Sequence, residues 1–210
     1  MYIDQPKLPE LIRRFLYSQL RGPTADPLAL YVNLAACPQF SGKVRVFHSA
    51  IAEFHAPSDL SGIRGMHRQW IRATPSWRGG PGRCDCVFIE TDANAVGFRG
   101  LHVAHVILFF SFIHASVTYP CALVKWFTVI GDRPCEDTGL WMVKPELHPQ
   151  TRHRLITVVH LDCILRGAHL MPIYGNAFLP RDFDFNDTLN AFQAYFVNKF
   201  INHNAFDIAF

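Results

Sequence analysis

Five arginines, two tryptophans and a histidine fall between Ile63 and Arg83, with no acidic residue among them. The arginines are Arg64, Arg68, Arg72, Arg78 and Arg83; the tryptophans are Trp70 and Trp77. A guanidinium is a planar fork of donors that matches phosphate or carboxylate. An indole face stacks on nucleobases or on guanidinium planes. Glycines between them allow close backbone approach. This is the composition of a nucleic-acid-contacting segment, and it makes Arg64, Arg68, Trp70, Arg72, Trp77, Arg78 and Arg83 the candidate contact residues. Two plainer readings fit the same residues. The segment could be a solvated basic loop. It could also pair with the protein's own acidic end, where Asp182, Asp184, Asp187 and Asp207 face only Arg181 and Lys199.

Other chemistries find less support. Cys84-Asp-Cys86 would put two thiols on one side of a strand. His148 and His153 lie five apart across Pro149, but no second pair follows at zinc-site spacing. His102 and His105 are three apart in a strand-like run, so they point oppositely. Asp85 superficially resembles the first acid of a two-metal nuclease site, which needs carboxylates converging from several elements. The C-terminal segment offers no glutamate to complete it, and surface carboxylates or helix caps explain the aspartates more simply. His160-Leu-Asp162 is a same-face pair suited to a buried hydrogen bond. There is no nucleophile elbow, and no strand–turn–helix surrounds any serine. Arg78-Gly-Gly-Pro-Gly-Arg83 is glycine-rich but lacks the Lys-Ser/Thr of a P-loop. No cofactor is implied.

These residues must be positioned by a fold, and the composition allows a large core. Half of the 210 residues are apolar, 18% are charged, and 18 are phenylalanine. Net charge is +3. The longest apolar runs are strand-sized, so no membrane span is expected. The first residues show no basic region followed by an apolar stretch, so no secretory signal is expected. The six cysteines are sparse and several sit in apolar runs, which predicts buried reduced thiols in an intracellular protein.

Leu11, Ile12, Phe15, Leu16 and Leu20 recur at helical spacing, so a helix starts at Pro9 and stops at Gly22-Pro23. A loop with Asp26-Pro27 follows. Val44–His48 alternates as a strand that continues towards Phe54. Residues 56–83 read as a long basic loop with one helical turn near Met66–Ile71. Strands are expected at Cys86–Thr91, Leu101–Phe112, Val117–Val129, Gly139–Val143, Leu155–Leu161 and His169–Tyr174, with Ala115-Ser116 as a hairpin tip. Pro120 requires a bulge or an edge position in its strand. Asn186 or Asp187 would cap a final helix whose apolar face is Leu189, Phe192, Tyr195, Phe196 and Phe200. The fold expected is α+β: a mostly antiparallel barrel or curled sheet of about six or seven strands with helices at both ends. One domain would span 1–210, with a helical extension at 1–42, a β core at 43–175 and a C-terminal helix region at 176–210.

Several strings carry a family likeness: Leu8-Pro-Glu-Leu-Ile-Arg-Arg-Phe-Leu-Tyr17, Ala56-Pro-Ser-Asp-Leu-Ser-Gly62, Ile71-Arg-Ala-Thr-Pro-Ser-Trp-Arg-Gly-Gly80, Ile107-Leu-Phe-Phe-Ser-Phe112, Tyr119-Pro-Cys-Ala-Leu-Val-Lys-Trp-Phe127 and Asn202-His-Asn-Ala-Phe-Asp-Ile-Ala-Phe210. Together they resemble the C-terminal region of transposase-like proteins encoded by Plavaka-type DNA transposons of basidiomycete fungi. The catalytic acids of that family have no positions here onto which they map. The resemblance implies a nuclear location and an accessory module, a degenerate element copy or a piece taken over by the host, without transposase activity. A second likeness is at the level of fold. Val106-Ile-Leu-Phe-Phe110, Cys121–Phe127, Gly139–Val143 and Asp162–Pro172 are similar in order to the β core of bromo-adjacent homology chromatin readers. That likeness would make Tyr119, Trp126, Phe127 and Trp141 a peptide-facing aromatic site, although aromatics in such runs ordinarily fill cores.

The leading expectation is a non-catalytic nucleic-acid or chromatin-binding accessory module derived from a transposon-encoded protein, with the basic arm as its contact surface. The alternatives are a protein-interaction or dimerisation module and a metal-dependent hydrolase with a site outside known motifs.

Overall fold

The computed structural model describes residues 5–21, 32–56, 63–176, 178–179, 181–184 and 187–208. The expected helix stop at Gly22-Pro23, the Asp26-Pro27 loop, residues 57–62 of the basic arm and Asn186 as a cap lie outside them. The chain opens with helix α1 (Leu8–Arg21) and strands β1 (Val44–Phe47), β2 (Ser49–His55), β3 (Met66–Thr74), β4 (Arg83–Cys84) and β5 (Cys86–Glu90). The long strands β6 (Leu101–His114) and β7 (Val117–Ile130) follow. Then come β8 (Met142–Pro145), β9 (Ile156–His160), β10 (Ile164–Ala168) and β11 (Leu170–Pro172). A short helix α2 (Thr188–Ala191), strand β12 (Tyr195–Val197) and helix α3 (His203–Ile208) end the described chain.

The fold is α+β, with antiparallel strands in a nearly closed barrel-like sheet. Its main path runs β10-β5-β6-β7-β8-β12-β11, while β1 pairs with β6 and β9 with β7. The two ends of the path, β10 and β11, are separated only by His169, so the sheet curls until its edges are adjacent in the chain. Strands β2, β3 and β4 form a second, three-stranded sheet.

The hairpin β6–β7 is the spine. Its tip residues Ala115 and Ser116 both have left-handed backbones (φ 47 and 66), the conformation of a two-residue turn that matches strand twist. A bulge at Ile107, between the Val106 and Leu108 pairings, flips the alternation of β6. Ala104, Val106 and Phe109 therefore share one face, and Leu108, Phe110 and Phe112 share the other. Both faces are covered. Leu8, Ile12, Phe15 and Leu16 of α1 pack on the second face, although Leu20, expected on the same stripe, is exposed. Ala52 of β2 and Ile71 and Ala73 of β3 pack on the first. Each large side chain buried in this way contributes about 1.5–3 kcal/mol. Pro120 sits just beyond the last residue of β7 paired with β9, so its missing N–H falls where only β6 is a neighbour.

Two expectations are corrected. The arm is not a long loop with a helical turn: Met66–Thr74 is strand β3, paired with β2 over Met66–Arg72 and with β4 at Ala73 and Thr74. Its side chains alternate between exposed and inward positions, and the inward ones meet the sheet below. The C-terminal apolar stripe is not one helix. Tyr195–Val197 is strand β12, inserted between β8 and β11. The aromatic and β-branched residues there gain more from completing the sheet than from a helix with a single apolar face. Tyr195 is fully buried and its hydroxyl donates to Thr188 O at 2.7 Å. Asp187 stands at the α2 cap position, but its side chain makes no capping bond.

Candidate nucleic-acid interface

Period-two alternation decides which arm residues face out. Met66, Arg68, Trp70 and Arg72 lie on the outer face of β3, about 7 Å apart along the strand. Across from them on β2 stand His55, Glu53, Ile51 and Ser49 in that order. The inner face holds His67, Gln69, Ile71 and Ala73. There Phe54 stacks on His67, and Gln69 Oε1 accepts from Gly167 N of β10 at 2.9 Å. The hairpin is thus fastened through its inner face, and the outer face presents Trp70 at 55% exposure beside exposed Ile51 and Met66.

The turns at the ends of this sheet place two further arginines. Arg64-Gly65 and Arg78-Gly79 both have left-handed backbones (φ 55 and 77; φ 52 and 77). Each pair is closed by a backbone bond, Met66 N to Ile63 O at 3.0 Å and Gly80 N to Trp77 O at 2.9 Å. These are the two-residue turns in which a left-handed second residue calls for glycine. The lead residue is an exposed arginine in both.

Trp77 is placed otherwise than Trp70. The guanidinium of Arg72 lies 4.3 Å from its ring centroid, that of Arg78 5.4 Å and that of Arg83 5.8 Å. Its face is already a guanidinium platform, which holds three cations in one patch. Arg83 also pairs with Asp85 at 2.8 Å, and Arg68 with Glu53 at 2.7 Å. Among the described residues, the guanidinium donors of Arg64, Arg72 and Arg78 have no hydrogen-bond or ion-pair partner. All seven residues expected from the sequence therefore belong to one small sheet and its turns. Ile51, Glu53 and Met66 were missed. The signal that marks them is alternation across 49–55 and 66–74.

The competing chemistries fare differently. Asp85 is a brace: its carboxylate accepts from Arg72 N at 2.8 Å and from Arg83 Nε, and its own N–H donates to Arg72 O. This break between β4 and β5 sends Cys84 and Cys86 into different apolar clusters, so the two thiols do not share a face as expected. Burial, reinforced by Asp85, pushes the Cys84 thiol up and that of Cys86 to about 12. Among the described residues no group of three or more His, Cys, Asp and Glu gathers at metal-binding distance. All six cysteines are free. The His160 and Asp162 side chains meet at 3.3 Å, but Asp162 is exposed, so this is not the buried pair expected. Phe127 and Trp141 lie in the core, Trp126 Nε1 donates to Thr157 Oγ1 at 2.6 Å, and Tyr119 stacks on Phe112. These aromatics serve packing. No helix among the described residues is long and apolar enough to cross a membrane. No protein-family model matches the chain, and no curated protein or solved structure matches it either.

Proposed function

We propose that the chain is a non-catalytic nucleic-acid-binding module, an accessory piece derived from a transposon-encoded protein, that holds DNA or chromatin-borne strands on the outer face of β2–β3. One observation carries the reading: Trp70 stands more than half exposed between Arg68 and Arg72 on a strand whose opposite face is anchored in the core. Exposed aromatics give bases a stacking surface, and flanking arginines neutralise phosphates. Arg64 and Arg78 extend the positive surface at the turns. The resemblance to the Plavaka-type proteins supports the same reading, and nuclear location follows from it.

The test is binding of a labelled single strand and a generic duplex across a salt series. Each phosphate neutralised on a single strand contributes about −0.7 to the slope of log affinity against log salt. Replacing Arg68, Arg72 and Arg78 together with alanine is expected to flatten that slope by about 2. An unchanged slope removes the arm from the account.

A protein-interaction module is the second reading. It is favoured by exposed Phe200, Ile201 and Phe206 near the C-terminus. Light scattering over a concentration series checks its dimeric form, which a constant monomer mass would eliminate.

A further inference from the structure

Arg166 is the largest fully buried side chain, at 1% exposure, and among the described residues it has no carboxylate partner. Its guanidinium lies 4.5 Å from the Phe54 ring centroid, Nη1 donates to Asn204 Oδ1, and Nε has no acceptor. Arginine stays charged in any protein interior. An unpaired buried charge is expensive, and Arg166 is kept here in spite of that cost. Arg166 lines a cavity of about 200 Å³ whose other walls include Gln69, Trp70, Arg83, His169 and Asn202.

The polar groups of this cavity are sorted by sign. Gln69 commits its oxygen to Gly167 N, and Asn202 commits its oxygen to Ala205 N at 2.8 Å. Both amides are left with their N–H groups to offer. The one acid in the wall, Asp85, has its oxygens taken by Arg72 N and Arg83 Nε. At Gly167 a Cβ would stand 2.9 Å from Gln69 Nε2, so a larger residue would have to displace that amide. The cavity wall thus joins two amides with N–H groups to spare to Arg166 and Arg83, and its one carboxylate is already bonded.

We propose that this cavity is a phosphate site, and that the phosphate belongs to the strand stacked on Trp70. The inference rests on the proposed nucleic-acid reading and deepens it. Trp70 and Arg83 belong to both the outer face and the cavity wall, so the cavity adjoins the surface on which a base would stack. Arg166 is the anchor; Arg68, Arg72 and Arg78 supply the salt-sensitive contacts around it.

Inorganic phosphate is the first probe, at constant ionic strength against chloride. The wild-type melting temperature is expected to rise with the logarithm of phosphate concentration above the dissociation constant, by about 5–10 °C at a hundredfold excess over it. Arg166→Met is expected to abolish that rise and to weaken single-strand binding about ten- to hundredfold. Ile201, exposed and in the cavity wall, gives a variant that leaves the core untouched. Ile201→Glu should weaken phosphate binding several-fold relative to Ile201→Gln, and it decides the matter if Arg166→Met does not fold. Absence of a rise in the wild type, or an equal rise in Arg166→Met or in both Ile201 variants, overturns the site. Comparing oligonucleotides with and without a 5′-phosphate separates the sources. Tighter binding of the phosphorylated strand, lost in the Arg166 or Ile201 variant, assigns the site to a strand end. Equal binding of both strands that still falls in the variant assigns it to an internal phosphate. Salt-sensitive strand binding that Arg166→Met leaves unchanged defeats the cavity while the outer face stands. Phosphate binding with no strand binding defeats the outer face and keeps the cavity for a free phosphate.

Discussion

Hairpins β2–β3 and β6–β7 are both antiparallel ladders with alternating side chains, yet one is buried on both faces and the other on one. In β6–β7 the bulge at Ile107 redistributes phenylalanine, leucine and valine so that each face meets a separate apolar cluster. In β2–β3 the inner face holds Ala52, Ile71 and Ala73, and the outer face holds Arg68, Trp70 and Arg72. Stability therefore concentrates in the first hairpin and in the inner half of the second. The outer half of β2–β3 is left free to carry recognition without weakening the fold.

The comparison breaks most sharply at Phe127, which is fully buried against Tyr195 with ring centroids 5.6 Å apart. Phe127→Ala is expected to lower unfolding free energy by about 3–5 kcal/mol, measured by urea denaturation, while the folded fraction keeps its affinity for oligonucleotide. An equal cost for Trp70→Ala would erase the distinction between the hairpins.

A pH experiment probes the seam where β4 and β5 cross β6. Burial first, and then the charge of Lys125, lower the His105 imidazole to about 4. Its Nε2 lies 3.2 Å from Cys84 O and its Nδ1 has no partner. The unfolded imidazole takes up a proton near 6.5, so between these values the unfolded chain binds more protons than the folded one. Stability is full above about 6.5 and falls as pH drops towards 4, by about 3 kcal/mol across the window. Melting against pH for the wild type and His105→Gln checks this; the same slope in both contradicts it.

A smaller effect is expected at Gly79, whose left-handed backbone has nothing within 4 Å of an added Cβ. The cost of Gly79→Ala is then conformational alone, about 1 kcal/mol in a melting experiment, with Gly79→Asn recovering part of it. A neutral result would mean that the tip carrying Trp77 and Arg78 is not held in this turn.

Much of this arrangement was legible in the residues. The β6–β7 hairpin announced itself through two long apolar runs around Ala115-Ser116, and the seven basic-arm residues through their types. The arm's strand was hidden because Arg, Gln and Trp at 68–70 carry no apolar alternation; the inward set is only His67, Gln69, Ile71 and Ala73. The C-terminal strand was hidden because Leu189, Phe192, Phe196 and Phe200 fit helical spacing, and only the gap between β8 and β11 decides otherwise. Arg166 could not be found in sequence, since its lack of an acid partner is a fact of three-dimensional packing.

The most direct test is the affinity of Trp70→Ala for a labelled single-stranded oligonucleotide, followed by anisotropy beside the wild type. Loss of one base–indole stack predicts a fall of about 5- to 150-fold. The melting temperature should stay close to that of the wild type, because the indole is more than half exposed. Equal affinity in the two proteins would contradict the claim that the outer face of β2–β3 is where this chain meets nucleic acid.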